Sequence, residues 1–194
     1  MPSQAGLGGG SPIRGDGEKL VPAQLKVWSN NVRGLNTPEK RTQLLRQLWA
    51  EKVSVALLQE THFRGQASPK LENRRFPLGY YANHPDAKKT GVAILFSRTV
   101  PFQLLDTLTD SEGRFIFLKG TIAHHTYTFA CIYSPNRRQH TFLSKTLRKL
   151  EKFRDGMLIL AGDLNVPLDP RMDTSRGAST VPDHSIRTMR RDLT

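Results

Sequence analysis

The sequence has little of what marks secreted or membrane proteins. Cys131 is the single cysteine in 194 residues, so an internal disulfide and a disulfide scaffold are excluded. Apolar runs such as residues 55–58 and 157–161 are far too short to span a membrane. The N-terminus shows no apolar signal segment. We therefore expect a soluble intracellular protein, in the nucleus or cytoplasm, with no membrane association.

Acidic residues are also scarce, with 17 against 29 lysines and arginines, which gives a net charge of +12. This excess predicts a polyanionic partner, with nucleic acid favoured over an anionic membrane surface. A solvated basic face is the alternative that needs no partner. Hydrophobic residues make up 37% of the chain, which is enough to build a core and excludes disorder throughout.

Composition divides the chain into two parts. Residues 1–24 contain six of the fifteen glycines and no hydrophobic periodicity, which predicts a flexible Gly/Pro-rich leader. From residue 25 onward, strand and helix patterns alternate, and no internal repeat is visible. We therefore expect one domain over residues 25–194.

Strand patterns occur at residues 25–30, 53–59, 91–96, 114–119, 127–133 and 157–161. The continuously apolar runs at 53–59 and 157–161 predict strands buried on both faces. Thr37 and Pro38 are typical of a helix start, with Thr37 as the N-cap. Residues 141–153 form a second, basic amphipathic helix. A turn at His124 and His125 predicts a hairpin, and a basic, aromatic loop is expected around residues 74–81. A short helix is expected near residues 185–193.

These elements predict an α/β fold, a layered sandwich with mixed sheets. Strict alternation of strands and helices fails between residues 91 and 133, so part of the sheet structure is expected to be antiparallel. Basic charge has no bearing on this prediction, because it concerns partners and not the fold.

Four of the predicted strands end in polar groups that suit phosphate or metal. The ends are Asn30-Asn31, residues 59–62 (Gln-Glu-Thr-His), residues 133–136 (Tyr-Ser-Pro-Asn) and residues 162–165 (Gly-Asp-Leu-Asn). A carboxylate at the end of a buried strand is unfavourable unless it is paired or binds a cation. If the four ends converge, they form a site with two carboxylates, several amides, a phenol and a histidine.

The chemistry of this set favours magnesium. The sequence has no serine nucleophile elbow, no glycine-rich phosphate loop and no zinc-ligand spacing. Mg²⁺ needs only one or two protein carboxylates, together with water and substrate phosphate. The predicted reaction is therefore metal-assisted attack of water on a phosphodiester, with Mn²⁺ as an alternative ion.

Five motifs, in order, carry a resemblance to a known family. They are residues 31–36 (NVRGLN), 58–62 (LQETH), 91–95 (GVAIL), 132–136 (IYSPN) and 162–167 (GDLNVP). Together they resemble the endonuclease/exonuclease/phosphatase superfamily, and most of all the apurinic-type endonuclease domain of LINE-type non-LTR retrotransposons, which is related to exonuclease III. Each motif alone is weakly specific, whereas the ordered set is strong.

The resemblance implies roles for individual residues. Glu60 would be the principal magnesium ligand, with Asn31 supporting it and the phosphate. Asp163 would orient or activate the attacking water, while Asn165 and Tyr133 would contact phosphate oxygens. Four further residues are candidate substrate contacts, namely His62, Asn136, Arg137 and Arg138. The structural alternative is a plain turn at residues 163–165 and a core-edge aromatic at Tyr133.

Two departures from the family pattern bear on activity. Arg33 stands where many relatives carry an acidic or amide residue near the metal. The family's domain also continues beyond this chain into a Ser-Asp-His motif, so we expect an incomplete domain with impaired catalysis. Residues 182–185 (Pro-Asp-His-Ser) do not match that motif by position, and Asp183 is predicted as a helix N-cap.

The resemblance and the charge together predict a magnesium-dependent DNA endonuclease or exonuclease. Its setting would be retrotransposition or DNA repair. The alternative is a catalytically inactive remnant that binds nucleic acid through its basic surface. A phosphatase of the same superfamily is a third possibility, which the basic charge disfavours.

Overall fold

The computed structural model describes residues 24–65 and 68–166. Within these ranges the chain forms eight strands and two helices. In chain order they are β1 (Val27–Asn31), α1 (Pro38–Ala50), β2 (Val55–Gln59), β3 (Leu78–Ala82), β4 (Val92–Phe96), β5 (Phe102–Thr109), β6 (Phe115–Ile122), β7 (His125–Tyr133), α2 (Gln139–Phe153) and β8 (Met157–Asp163). No helix in these ranges is long and apolar enough to cross a membrane.

The strands form two four-stranded sheets, both mixed. The first has the order β1-β2-β4-β3, with β1 and β2 parallel and the other pairs antiparallel. The second has the order β5-β6-β7-β8, with β7 and β8 parallel and the rest antiparallel. In each sheet the parallel pair is joined through a helix, as parallel strands require a crossover. The predicted α/β class with mixed sheets is confirmed.

The two sheets pack face to face, and one helix covers each outer face. Val55 and Leu57 face the core between the sheets, together with Phe129 of the second sheet. The alternate residues Ala56 and Leu58 face the other way, toward Leu44 and Leu48 of α1. The second helix likewise packs on the outer face of β6 and β7. The predicted burial of residues 53–59 on both faces is confirmed, and the layers are helix, sheet, sheet, helix.

Both helices form where the sequence places them. Thr37 caps α1, its side chain accepting a hydrogen bond from the Lys40 N–H at 3.5 Å, and Pro38 is the first helical residue. The second helix starts two residues earlier than predicted, at Gln139, after Arg138 in a left-handed conformation. The hairpin between β6 and β7 is confirmed, with Ala123 and His124 between the strands.

Three local predictions are corrected. Tyr80 and Tyr81 belong to β3 and not to a loop, because they pair with Ile94 and Ala93 of β4. The run at residues 157–161 is not fully buried, since Met157 is 50% exposed where β8 ends the order of its sheet. The sequence pattern also gave no sign of β5, whose side chains are mostly exposed. The predicted leader and the predicted helix near residues 185–193 lie outside the described residues.

Candidate active site

Four strands end together at one end of the sandwich. In the first sheet β1 and β2 run parallel, with Asn31 opposite Gln59, the residue before Glu60. In the second sheet β7 and β8 run parallel, with Tyr133 opposite Asp163. Parallel neighbours place their carboxyl ends at the same edge of a sheet. The structure thus brings together side chains that lie up to 132 positions apart in sequence.

The Asn31 side chain joins the two sheets. Its Nδ2 donates one hydrogen bond to Glu60 Oε1 and one to Asp163 Oδ2, both at 2.8 Å. An amide nitrogen carries two hydrogens, and here each one serves a different carboxylate. Asn31 Oδ1 accepts from the Arg33 backbone N–H at 3.1 Å. The amide is therefore fixed in orientation, and it holds two carboxylates close to one another.

Glu60 is the centre of the cluster. Its Oε2 lies 3.3 Å from His62 Nε2, and only 20% of its side chain is exposed. Burial alone would raise the pKa of Glu60, but hydrogen bonds from Asn31 and Tyr133 and the charge of His62 lower it below its ordinary value. Glu60 is therefore ionised at neutral pH, with oxygen atoms suited to a hard cation.

The Tyr133 hydroxyl is held as a neutral donor. Burial, the hydrogen bond to Glu60 and the negative charges of Glu60 and Asp163 raise the pKa of Tyr133 to about 12. The Arg114 guanidinium opposes this shift, and it lies 5.8 Å from the centre of the Tyr133 ring. Sequence reasoning missed Arg114, because nothing in the local pattern before β6 distinguishes it from other surface arginines.

Asp163 and Asn165 form a short turn after β8. The Asn165 backbone N–H donates to Asp163 Oδ1 at 3.1 Å, and Asn165 Nδ2 donates to the Ser134 carbonyl at 2.6 Å. Both oxygens of Asp163 therefore accept hydrogen bonds, one from each side of the site. One hydrogen of the Asn165 amide is left to face a ligand.

Backbone conformations that side chains rarely adopt are concentrated here. Four of the non-glycine residues with positive φ lie in the strand ends of the site, with φ between 48° and 57°: Arg33, Glu60, His62 and Asn165. Such conformations are unfavourable for residues with a Cβ, and they cluster at functional sites. The strain is an independent indication that this end of the sandwich carries the function.

The buried side-chain amide of Gln59 lies next to the site and connects the two sheets. Gln59 is 1% exposed, and its Nε2 donates to the Leu57 carbonyl at 3.0 Å and to Cys131 Sγ at 3.3 Å. This contact links β2 to β7 directly beneath Glu60. Burial raises the pKa of Cys131 to about 12, so the thiol is a neutral core group.

The remaining predicted residues lie at different distances from the cluster. His62 contacts Glu60 directly, as described above. Three others are exposed on the loop between β7 and α2, namely Asn136, Arg137 and Arg138. Arg33 is exposed and reaches the cluster through its backbone N–H. Residues 182–185 lie outside the described residues.

The donor set fits a magnesium or manganese ion better than zinc or copper, because it consists of oxygen atoms. Among the described residues, no three His, Cys, Asp or Glu side chains come together as a metal cage. Two carboxylates, Glu60 and Asp163, are present, both linked to Asn31. Mg²⁺ is commonly held by one or two carboxylates plus water and phosphate oxygens. Glu60 is the residue best placed to hold such an ion.

The chain is similar to a transposon protein and to solved endonuclease structures. The chain is 29% identical over 153 residues to the Transposon TX1 uncharacterized 149 kDa protein of Xenopus laevis, covering 76% of this chain and 11% of that protein. Its fold is similar to that of the AP endonuclease LMAP from Leishmania major, with a TM-score of 0.58, 16% identity and coverage of 86% of this chain and 64% of that one. It is similarly close to the endonuclease domain of TRAS1, a telomere-specific non-LTR retrotransposon, with a TM-score of 0.58, 14% identity and coverage of 88% and 69%.

The chain thus spans about a tenth of the transposon protein and under two thirds of the Leishmania enzyme. A family model also matches directly, over residues 23–182, which is most of the sequence. That range includes all four strand ends that form the cluster. The resemblance inferred from the motifs is confirmed, and the chain belongs to the endonuclease/exonuclease/phosphatase family.

Proposed function

We propose that this protein is a magnesium-dependent phosphodiester hydrolase that acts on DNA, of the retrotransposon or apurinic-type endonuclease kind. One observation carries the proposal. The Asn31 amide joins Glu60 of one sheet to Asp163 of the other, and Tyr133 bonds to the same Glu60. Two carboxylates held this close together are unfavourable for folding unless they bind a cation or another partner. Their presence at the strand ends of both sheets therefore indicates a functional site.

Glu60 would hold the ion, and the Asn31 amide would keep the carboxylate in position. Mg²⁺, or Mn²⁺ in its place, neutralises charge on a phosphodiester and polarises it toward attack. Because hydrogen bonds lower the pKa of Glu60, the ligand is ready in its charged form. His62 lies on the opposite oxygen of the same carboxylate, so it positions Glu60 and stands close to the substrate.

Asp163 would orient the attacking water. Its two oxygens are fixed by Asn31 and by the Asn165 backbone N–H, and each oxygen retains a lone pair for a further partner. Asn165 and Tyr133 would donate to phosphate oxygens on either side. Donors that are held in place before the reaction stabilise developing charge most effectively.

DNA is the proposed substrate because the chain has a large positive charge and because similar structures are endonucleases. The net charge is +12, and Arg137 and Arg138 are exposed directly after the Tyr133 strand end. Contacts of this type would hold the backbone without reading sequence. The similar structures include an AP endonuclease and a retrotransposon endonuclease domain. Cleavage of chromosomal target DNA in the nucleus, or repair of apurinic sites, is the corresponding biological role.

Nicking of supercoiled plasmid tests the proposal. We expect nicked circles in Mg²⁺ or Mn²⁺ and none in EDTA. E60Q and D163N should each lower the rate by at least about 100-fold, the scale of one positioned electrostatic group. E151Q is the matched control, because Glu151 is exposed on α2 and pairs only with Arg154 among the described residues. It should cut like the wild type.

Two results would contradict the proposal. Cutting that survives both E60Q and D163N would show that the cluster is not the site. Salt-sensitive DNA binding without any metal-dependent cutting would support the second candidate, a non-catalytic nucleic-acid-binding protein. The basic excess favours that candidate, since charge alone suffices for non-specific binding.

A further inference from the structure

A second basic surface lies at the far end of the sandwich from the candidate site. The α1 helix begins close to the site, where Gly34 N–H donates to the Glu60 carbonyl at 2.7 Å. Its 13 residues then run about 20 Å away, at about 1.5 Å per residue. Trp49 lies in its last turn. Arg98 follows β4 at the same far end, where Phe96 pairs with Val55.

Two guanidinium groups converge on the Trp49 ring. The Arg75 guanidinium carbon lies 4.7 Å from the ring centre, and that of Arg98 lies 5.4 Å from it. Arg74, next to Arg75 in sequence, and Lys52, whose backbone N–H donates to the Trp49 carbonyl at 3.0 Å, are also exposed. We call this group of five residues the basic pole. Two like charges held against one ring repel each other. An anion between or beside them would therefore stabilise the arrangement.

Among residues 24–65 and 68–166, no salt bridge neutralises the cations of the basic pole. In the described part of the chain, neither Arg75 nor Arg98 forms a salt bridge. The acidic residues of this region have other partners. Glu51 Oε2 lies 3.7 Å from Lys26 Nζ. Glu72 Oε2 accepts a hydrogen bond from the Tyr81 hydroxyl at 2.8 Å.

The backbone around both arginines is fixed before any ligand binds. Arg98 N–H donates to the Arg75 carbonyl at 2.8 Å, which ties the two segments together. Asn73 Oδ1 accepts from the Arg75 N–H at 2.7 Å, and Phe76, next in sequence, is fully buried. Arginine in a fixed position is well suited to phosphate, because its planar fork binds two oxygens at once.

We propose that the basic pole is a second nucleic-acid-binding site, which takes the phosphodiester backbone of a strand that does not occupy the candidate active site. The pole has only cationic groups around an indole that is already in contact with guanidinium groups. It therefore suits phosphate oxygens and carries no means of reading bases. A nucleic acid held here would remain tethered when the strand at the other end dissociates.

The first test counts the short fluorescent DNA duplexes bound per protein in EDTA, by anisotropy titration at protein concentrations well above Kd. The wild type should bind two duplexes and R75Q/R98Q one, because each end of the sandwich takes its own strand. R46Q/R148Q is the matched control, since it removes two exposed arginines from the outer faces of the two helices. It should still bind two duplexes. One duplex per wild-type protein, or two per R75Q/R98Q protein, would overturn the proposal.

The second test places the ligand at the pole. With Trp28 replaced (W28F), Trp49 is the only tryptophan, and the duplex should quench its emission. The quenching should disappear when R75Q/R98Q is added and persist when R137Q/R138Q is added. Persistence in R137Q/R138Q separates the pole from the proposed active site, so the two proposals can fail independently of each other. Duplex binding with no change in Trp49 emission would overturn the proposal.

Discussion

Gly34 determines where the His62 ring can lie. Its φ is +87°, and a Cβ built there would lie 2.9 Å from His62 Nδ1. The same imidazole reaches Glu60 through its other nitrogen at 3.3 Å. A glycine next to the site therefore acts through contact as well as through backbone freedom, because any side chain would push His62 and with it the Glu60 carboxylate.

Replacing Gly34 by alanine should impair both stability and cutting. The left-handed conformation costs about 1–2 kcal/mol for a residue with a Cβ, and the contact with His62 should add about 1–3 kcal/mol of overpacking. Urea unfolding and plasmid nicking measure the two effects. G65A is the control, because Gly65 has φ +62° but its added Cβ would make only an ordinary contact of 3.5 Å. If G34A behaves like G65A in both assays, the contact has no role.

Glu60 makes stability depend on pH in the metal-free protein. Its pKa in the folded state lies below its ordinary value of 4.5. The stabilisation is therefore fully present above 4.5 and is lost as the pH falls through the folded pKa. Urea unfolding in EDTA between about pH 6 and about pH 3 should show a shallower fall for E60Q than for the wild type. Parallel curves would show that Glu60 is not held by Asn31 and Tyr133 in the folded protein.

At the scale of the element, α1 positions the loop that follows Asn31 and carries Gly34. The helix begins at Pro38, and Lys40 Nζ donates back to the Arg33 carbonyl at 3.1 Å and to the Gly34 carbonyl at 3.2 Å. Leu44 and Leu48 anchor the helix on the first sheet. The start of α1 is thus linked to the site loop by hydrogen bonds, and its buried stripe keeps it in place.

Thr37→Ala should lower the free energy of unfolding by about 1 kcal/mol, the usual effect of losing an N-cap. Thr37 accepts the Lys40 N–H at 3.5 Å. T42A is a matched control in the same helix, because Thr42 is exposed and bonds only to the Pro38 carbonyl among the described groups. Alanine has the higher helix propensity there, so T42A should be neutral or stabilising. Thermal unfolding of both variants provides the comparison, and equal destabilisation would show that Thr37 is not a cap.

Which elements the sequence could predict depends on what their side chains contact. Every position of β2 and β4 is buried because both faces are covered. Apart from Gln59 these strands are apolar, and this signal can be seen in the sequence without knowing what the strands pack against. By contrast, β5 has one buried residue, Phe102, so its sequence resembles a loop. The polar strand ends could be found in the same way, since an abrupt change from apolar to polar is local.

The contacts within the site could not be predicted from pattern alone. The hydrogen bond from Asn31 to Asp163 joins two sheets, and its existence depends on how those sheets pack. Arg114 reaches Tyr133 through the pairing of β6 and β7 within the second sheet, where the Tyr133 N–H donates to the Arg114 carbonyl. Long-range pairings of this kind carry no local signal. The motif resemblance supplied the residues, and only the structure supplied their partners.

At the scale of the whole molecule, the positive charge separates into two regions. Arg137 and Arg138 lie at the end of the sandwich that carries the candidate site, after β7. The basic pole lies at the other end, beyond the last turn of α1. Under the proposal of a second binding site, a net charge of +12 would serve two separate strands.

Separate regions should bind DNA independently. In R75Q/R98Q only the candidate site remains, so adding R137Q/R138Q should lower the slope of log K against log salt for duplex binding by about 1.8, two contacts at about 0.9 each. R137Q/R138Q alone should weaken binding at the candidate site and leave binding at the pole unchanged. Anisotropy titrations of the four proteins in EDTA measure this. A fourfold variant with the same slope as R75Q/R98Q would refute the division of charge into two binding regions.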